Sequence, residues 1–289
     1  MKFQNILQKI SDRFSLLKGF QSGLLLLTGL TGYVSAQNNG QNSTTLIWLA
    51  GSLFLVIGGS TVLNMVYDRD IDAKMRRTVY RPLPAGKIGL SEALLTGVVM
   101  CAAGLLWSFS LSRLYGLVVS TGLILDLLIY TVWLKRRTHW SILWGGLSGG
   151  MPILAGRVLG LGTIDAIGIL LAFSILLWIP THILTFNMRY FEDYRRARIP
   201  TFVSRFGFRP TRFMVIISSL GASIAMGTGL YALGLTMNYL HLLFLLTALI
   251  MILAVVCFLK PSDRMHFALF RFASFYMLGA MLITIVGLV

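Results

Sequence analysis

Asn64-Met65-Val66-Tyr67-Asp68-Arg69-Asp70-Ile71-Asp72 closes a long apolar segment of the chain. An amide and two carboxylates stand at i, i+4 and i+8. On a helix each fourth residue advances by only about 40°, so Asn64, Asp68 and Asp72 are expected to form one oxygen-rich stripe. Ionisable groups at the edge of a membrane helix are expensive and usually functional. Carboxylate and amide oxygens are the ligands that a hard cation such as Mg²⁺ prefers. Mg²⁺ held in this way implies a phosphorylated substrate held with it.

The apolar segment that precedes the motif is one of many. Of 289 residues, 56% are hydrophobic and 12% charged, the composition of an integral membrane protein. Nine spans are read at 16–36, 46–66, 93–111, 115–134, 141–160, 163–188, 212–233, 237–259 and 268–288. No long polar linker interrupts them, so residues 1–289 are expected to fold as a single all-α bundle. The net charge of +15 is uneven. Lys2, Lys9, Arg13 and Lys18 flank the first span, and Lys74, Arg76, Arg77, Arg81 and Lys87 follow the second. Lys135, Arg136 and Arg137 follow the fourth, a run of arginines follows the sixth, and Lys260 and Arg264 follow the eighth. With nine spans every strongly basic loop falls on one side, which the positive-inside rule makes cytoplasmic. The N-terminus is then cytoplasmic and Val289 is on the far side. Phe3, Ile6, Leu7, Ile10 and Phe14 share a helical face, so residues 1–15 read as an interfacial amphipathic helix rather than a signal peptide. No soluble basic domain offers a nucleic-acid surface, and no obligate protein partner is evident. Cys101 and Cys257 sit inside apolar spans as small hydrophobes, without a disulfide or thiolate metal pattern.

Two connections are longer than the rest, at 67–91 and 189–211, and both open alike. Asn64-Met65-Val66-Tyr67 is followed by Asp68, Arg69 and Asp70; Asn187-Met188-Arg189-Tyr190 is followed by Phe191, Glu192 and Asp193. They stand four spans apart, which predicts two related four-helix units plus a ninth helix, with both motifs facing one cavity. Arg81-Pro82-Leu83-Pro84-Ala85-Gly86 and Ile199-Pro200 shape the two loops, which are expected to cap that cavity. The crowd of glycines at 145, 146, 149, 150 and 156 reads as close helix packing.

The chemistry follows from the ligand count. Mg²⁺ is octahedral, so Asn64, Asp68 and Asp72 would leave positions for diphosphate oxygens and water. Asn187, Glu192 or Asp193 would hold a second ion. Such ions neutralise a departing diphosphate. Lys18, Arg77, Arg81, Lys135 and Arg136 are candidates for charge-assisted bonds to its oxygens, against a plain role as snorkelling anchors. Asp126 lies inside an apolar span and must be protonated, paired or facing the cavity. Gly160-Leu161-Gly162 lacks a third glycine and a βαβ context, so no dinucleotide loop is read there.

The chain resembles the UbiA superfamily of intramembrane prenyltransferases, which carry the Asn-x-x-x-Asp-x-x-x-Asp motif that Asn64, Asp68 and Asp72 form here. Within it the likeness is greatest to the protoheme IX farnesyltransferases, or haem O synthases. The run Asn64 to Ile88 carries it, with Tyr130-Thr131, Leu134 to Thr138, Trp178 to His182, Glu192-Asp193-Tyr194 and Ile199-Pro200. The resemblance implies Mg²⁺-dependent transfer of a prenyl group from an allylic diphosphate to a lipophilic acceptor. Haem B is one acceptor; a quinone or ether-lipid precursor is the alternative. It also implies catalytic roles for Asp68 and Asp72, and places Tyr130 on the cavity wall near the reacting carbon, where by residue type alone an interfacial tyrosine is an anchor. His182 is either a haem ligand or a satisfied helix histidine. Outside enzymes, a transporter or lipid-binding protein is the competing class. Acidic clusters at helix ends beside basic loops, rather than at mid-membrane in broken helices, favour phosphate chemistry.

Overall fold

The computed structural model describes residues 12, 13, 15–36 and 42–289. The interfacial helix read over residues 1–15 therefore lies almost wholly outside the described residues. The rest is helical: α1 Gly19–Val34, α2 Ser43–Tyr67, α3 Arg69–Asp72, α4 Leu90–Leu111, α5 Arg113–Leu134, α6 Ser141–Leu161, α7 Ala166–Arg189, α8 Phe191–Arg196, α9 Phe202–Phe206, α10 Phe208–Ala232, α11 Met237–Leu259 and α12 Asp263–Leu288. Among the described residues there is no strand. Eight of these helices are long and apolar enough to cross a membrane. The ninth long element of the bundle, α1, has 16 residues, about 24 Å of helix at 1.5 Å per residue. The nine spans read from the sequence are thus eight full-length helices and a short first one.

The helices begin where polar residues can cap them. Asn42 accepts from the Thr44 amide ahead of α2, Asp165 from Gly168 ahead of α7, and Ser262 from Met265 ahead of α12. Packing in lipid depends on close approach, because lipid tails are as apolar as leucine. α1 lies against α6 with glycine on both sides. A Cβ at Gly156 would overlap the Gly29 carbonyl oxygen, and one at Gly32 would overlap that of Ile153. The largest apolar cluster joins α7, α10, α11 and α12 around Leu171, Ile175, Met226, Leu230 and Tyr276. A second joins α1, α2, α5 and α6 around Leu49, Leu53 and Tyr115. The bundle therefore has two cores, and polar residues gather between them at one end.

Both motif loops sit at that end and pack on each other. Ile71, Met75, Ala197 and Ile199 form a small buried cluster that joins them. Asp193 ties the same joint: its two carboxylate oxygens accept from the backbone amides of Arg76 and Arg77 at 3.2 and 3.3 Å.

Candidate active site

The stripe expected from the sequence survives a helix break. α2 ends at Tyr67, and Asp68 leaves helical geometry at φ −87°, ψ 4° before α3 begins. The Asp68 amide still donates to the Asn64 carbonyl at 2.9 Å, and the Asp72 amide to the Asp68 carbonyl at 2.8 Å. The three residues therefore remain stacked. Asp68 and Asp72 are buried and line a cavity of about 640 Å³. Asp70 points the other way: it is exposed and holds Arg136 through two bonds of 2.7 and 2.8 Å.

Basic groups close on the stripe from two directions. Arg81, carried by the proline-rich turn, donates to Asp72 at 2.8 Å. Lys135 donates to Asp68 from the end of α5. Burial works against the Lys135 ammonium, but the facing Tyr130 and Asp68 outweigh it and hold its pKa above the usual lysine value. Its position depends on an unusual winding. Ile124–Leu134 forms a π-helix, in which the Lys135 amide donates to the carbonyl of Tyr130 at 2.8 Å. A π-helix stacks residues five apart, so the ammonium stands 5.7 Å from the Tyr130 ring centroid. Lys18 joins the same wall from the start of α1, held at φ 44°, a conformation uncommon for a residue with a Cβ. Burial first, then the neighbouring Arg81 and Lys135, pull its pKa down to about 8.

Asp126, which the sequence left open, is paired and faces the cavity. It accepts from Asn64 Nδ2 at 2.8 Å and from Ser60 Oγ at 2.5 Å. That bond consumes the donor end of the Asn64 amide and turns Oδ1 away as an unpartnered buried acceptor. Asp68 Oδ1 and Asn187 Oδ1 are likewise buried without a hydrogen bond; Arg136, at 3.8 Å from Asp68, is too far to supply one. Orphaned acceptors cost free energy unless something occupies them. Amide and carboxylate oxygens of this kind are the ligands Mg²⁺ takes. Among the described residues no three His, Cys, Asp or Glu side chains form a metal cluster, so the candidate oxygen set is mixed amide and carboxylate.

The remaining predicted residues divide. Arg77 lines the cavity over the Phe186 ring at 4.8 Å and reaches Tyr194 Oη at 3.4 Å. Arg136 is not brought inside, because Asp70, the Tyr67 carbonyl and the Tyr67 ring hold it at the rim. Glu192 is exposed and pairs with Arg195 on its own short helix. Asp193 is buried, but its oxygens face the loop amides. A series of rings lines the same cavity. Trp178 stacks on His182 at 5.0 Å, while His182 meets Phe270 at 4.4 Å and Phe270 meets Phe186 at 4.9 Å with tilted rings. His182 Nδ1 is 3.3 Å from Ser274 Oγ. Arg271 on α12 lines the same cavity. Sequence reading missed it, although an arginine inside an apolar span was the available signal.

Comparison with known families bears on this geometry. The profile described as the UbiA prenyltransferase family matches residues 25–278. The chain belongs to the UbiA prenyltransferase family. It is a membrane-embedded prenyltransferase. Among curated relatives, the protoheme IX farnesyltransferase of Archaeoglobus fulgidus is 38% identical over 227 residues, 78% of this chain and 79% of that one. That of Pyrobaculum islandicum is 35% identical over 252 residues, 87% and 90% of the two chains. Among solved structures, one described for digeranylgeranylglyceryl phosphate synthase superposes with a TM-score of 0.78 at 19% identity, covering 97% of this prenyltransferase and 99% of that chain. A UbiA homolog from Archaeoglobus fulgidus bound to GPP and Mg²⁺ gives 0.69 at 15% identity, over 94% and 99%. These structures share the fold.

Proposed function

We propose that this prenyltransferase moves a farnesyl group from farnesyl diphosphate to a vinyl group of protoheme, and that the alkylated vinyl group then takes up one water, giving haem O and diphosphate. The observation that carries the reading is the lining of one cavity, which brings together the carboxylates Asp68 and Asp72, the cations Lys18, Arg77, Arg81 and Lys135, and the rings of Trp178, His182, Phe186 and Phe270. The named relatives point to the same acceptor. Mg²⁺, held by Asn64, Asp68 and Asp72 with Asn187 opposite, would supply charge neutralisation for the departing diphosphate. Lys18, Arg81 and Lys135 bind its oxygens, and the salt bridges of Arg81 with Asp72 and of Lys135 with Asp68 open to admit it. Arg77 adds a cation from the loop joint. Tyr130 borders the reacting carbon, where an enclosed apolar wall excludes water from the allylic cation. Trp178, His182 and Phe270 border the space for the acceptor as one extended aromatic surface, which suits a macrocycle better than a small ring. Lipid enters as the surrounding solvent and as the reservoir of both substrates. The basic loops put the N-terminus and the cap in the cytoplasm.

The test is turnover by purified protein with farnesyl diphosphate, haem B and Mg²⁺, product read by mass spectrometry. Haem O is expected, with one diphosphate released per haem O. Diphosphate release with a quinone or ether-lipid precursor, and none with haem, would replace this acceptor. Counter-transport without alkylation would replace the enzyme altogether.

A further inference from the structure

Arg271 has no place in the diphosphate chemistry just described. It lies eight residues beyond Asp263, the first residue of α12, about 12 Å along the helix at 1.5 Å per residue. That puts a permanent charge inside a span, where such groups are expensive and mark function. The acidic side chains of the cavity, Asp68, Asp72 and Asp126, are engaged with Arg81, Lys135 and Asn64. Among the described residues no carboxylate lies within ion-pair distance of Arg271. Its guanidinium carbon lies 5.9 Å from the Phe267 ring centroid.

The surroundings say what the charge is for. Arg271 follows Phe270, whose ring meets those of His182 and Phe186, and lies one turn before Phe275. Phe275 and Phe20 of α1 both line the cavity and are 54% and 71% exposed. The cavity therefore reaches the lipid-facing surface between α1 and α12, and Arg271 stands beside that opening. An arginine fork matches a carboxylate with two parallel bonds. A flat ring system against Trp178, His182 and Phe270 would carry its acidic edge to this position.

We propose that Arg271 is a carboxylate subsite that orients the acceptor as it enters from the membrane. The inference rests on the acceptor reading above, and makes it more specific: the acceptor is a planar molecule with at least one ionised acid on its edge. A lipid phosphate at the opening is the other source of a matching anion.

The experiment is binding, without turnover. Zinc protoporphyrin IX and its dimethyl ester are titrated by fluorescence into detergent-purified protein, wild type and Arg271→Gln, with and without phosphatidylglycerol. The wild type should bind the diacid at least ten-fold tighter than the ester. In Arg271→Gln that ratio should fall to near one, while affinity for farnesyl diphosphate stays unchanged. Arg271→Lys should keep part of the ratio. A full ratio in Arg271→Gln overturns the subsite, as does equal wild-type affinity for diacid and ester. So does loss of the ratio whenever phosphatidylglycerol is added, which would assign Arg271 to lipid. The wild-type comparison needs no variant, so a misfolded Arg271→Gln does not rescue the idea. The two readings fail separately. Haem turnover with an unchanged acceptor KM in Arg271→Gln sinks only the subsite. Acid discrimination lost in the variant, with no haem O formed by wild type, sinks only the acceptor identity.

Discussion

Asp68, Asp70 and Asp72 are the same residue type within five positions, yet they are set for different work. Asp68 and Asp72 are buried at the cavity, while Asp70 is exposed on Arg136. Asp68→Ala and Asp72→Ala are expected to bring Mg²⁺-dependent diphosphate release to background, and Asp70→Ala to cost less than about ten-fold, since a surface ion pair contributes ~0–1 kcal/mol. Equal loss in all three would remove the distinction. Asp126 acts through Asn64. Asp126→Asn replaces the acceptor by an amide that can present NH₂ to Asn64 and let it flip, so Mg²⁺ affinity should fall roughly 10–100-fold, the usual cost of an outer-shell partner. Isothermal titration of Mg²⁺ with a thiodiphosphate analogue measures it, and an unchanged Mg²⁺ affinity contradicts the orienting role. Lys18 sets a pH dependence. With its pKa pulled down to about 8, the ammonium is present below that pH and lost above it. Affinity of the free enzyme for the analogue should therefore fall as pH rises through about 8. Lys18→Arg, charged throughout, should flatten the step; a step that persists belongs to another group.

At the level of elements, the two motif hairpins look alike in sequence and differ by one residue in where the helix stops. In the first, α2 runs to Tyr67 and the break falls at Asp68, four residues after Asn64. In the second, α7 runs to Arg189 and the break falls at Tyr190, three after Asn187. One residue is about 100° on a helix. Asp193 therefore turns inward to the loop joint, although by count from the asparagine it matches outward-facing Asp70. Its bonds to the Arg76 and Arg77 amides make it a clamp between the loops. Bonds to charged acceptors contribute ~1.5–3 kcal/mol. Asp193→Ala should raise hydrogen exchange at those two amides by at least about ten-fold while the long helices stay protected. Unaltered exchange there would mean that the carboxylate serves the ligand and not the loop.

Across the whole molecule, two cores meet along α1 and α6, where glycine faces carbonyl. Gly156→Leu forces backbone apart, because the obstacle is the Gly29 carbonyl and not a side chain. Overpacking typically costs ~1–3 kcal/mol, so the Tm in detergent should drop by several degrees, and an unchanged Tm would show the α1–α6 contact to be looser than described. Topology has its own test. Tyr80 is 82% exposed on the cap and Ser43 is exposed at the start of α2. Single cysteines at these positions should react with impermeant maleimide from opposite sides of the membrane. Thr78, in the same loop, is unsuitable because it is buried against the Asp72 carbonyl.

By itself the sequence determined the number and order of the long helices, because apolar runs of bilayer length admit no other backbone solution in lipid. It also determined the Asn64-Asp68-Asp72 stripe and the nearby Arg81, because these are local in the chain, whereas Lys18 and Lys135 reach the stripe from other helices. Tertiary structure decided the rest. Nothing in Ile124–Leu134 announces π winding, which brings Tyr130 and Lys135 into line only when α5 is packed on its neighbours. The partnering of Asp126 with Asn64 joins residues 62 apart. The capture of Arg136 by Asp70 and the inward turn of Asp193 hang on where each helix breaks, a matter of single residues that periodicity does not resolve. Arg271 became a cavity residue only once α12 had closed the bundle against α1, since a charge in a span acquires its meaning from the face it presents.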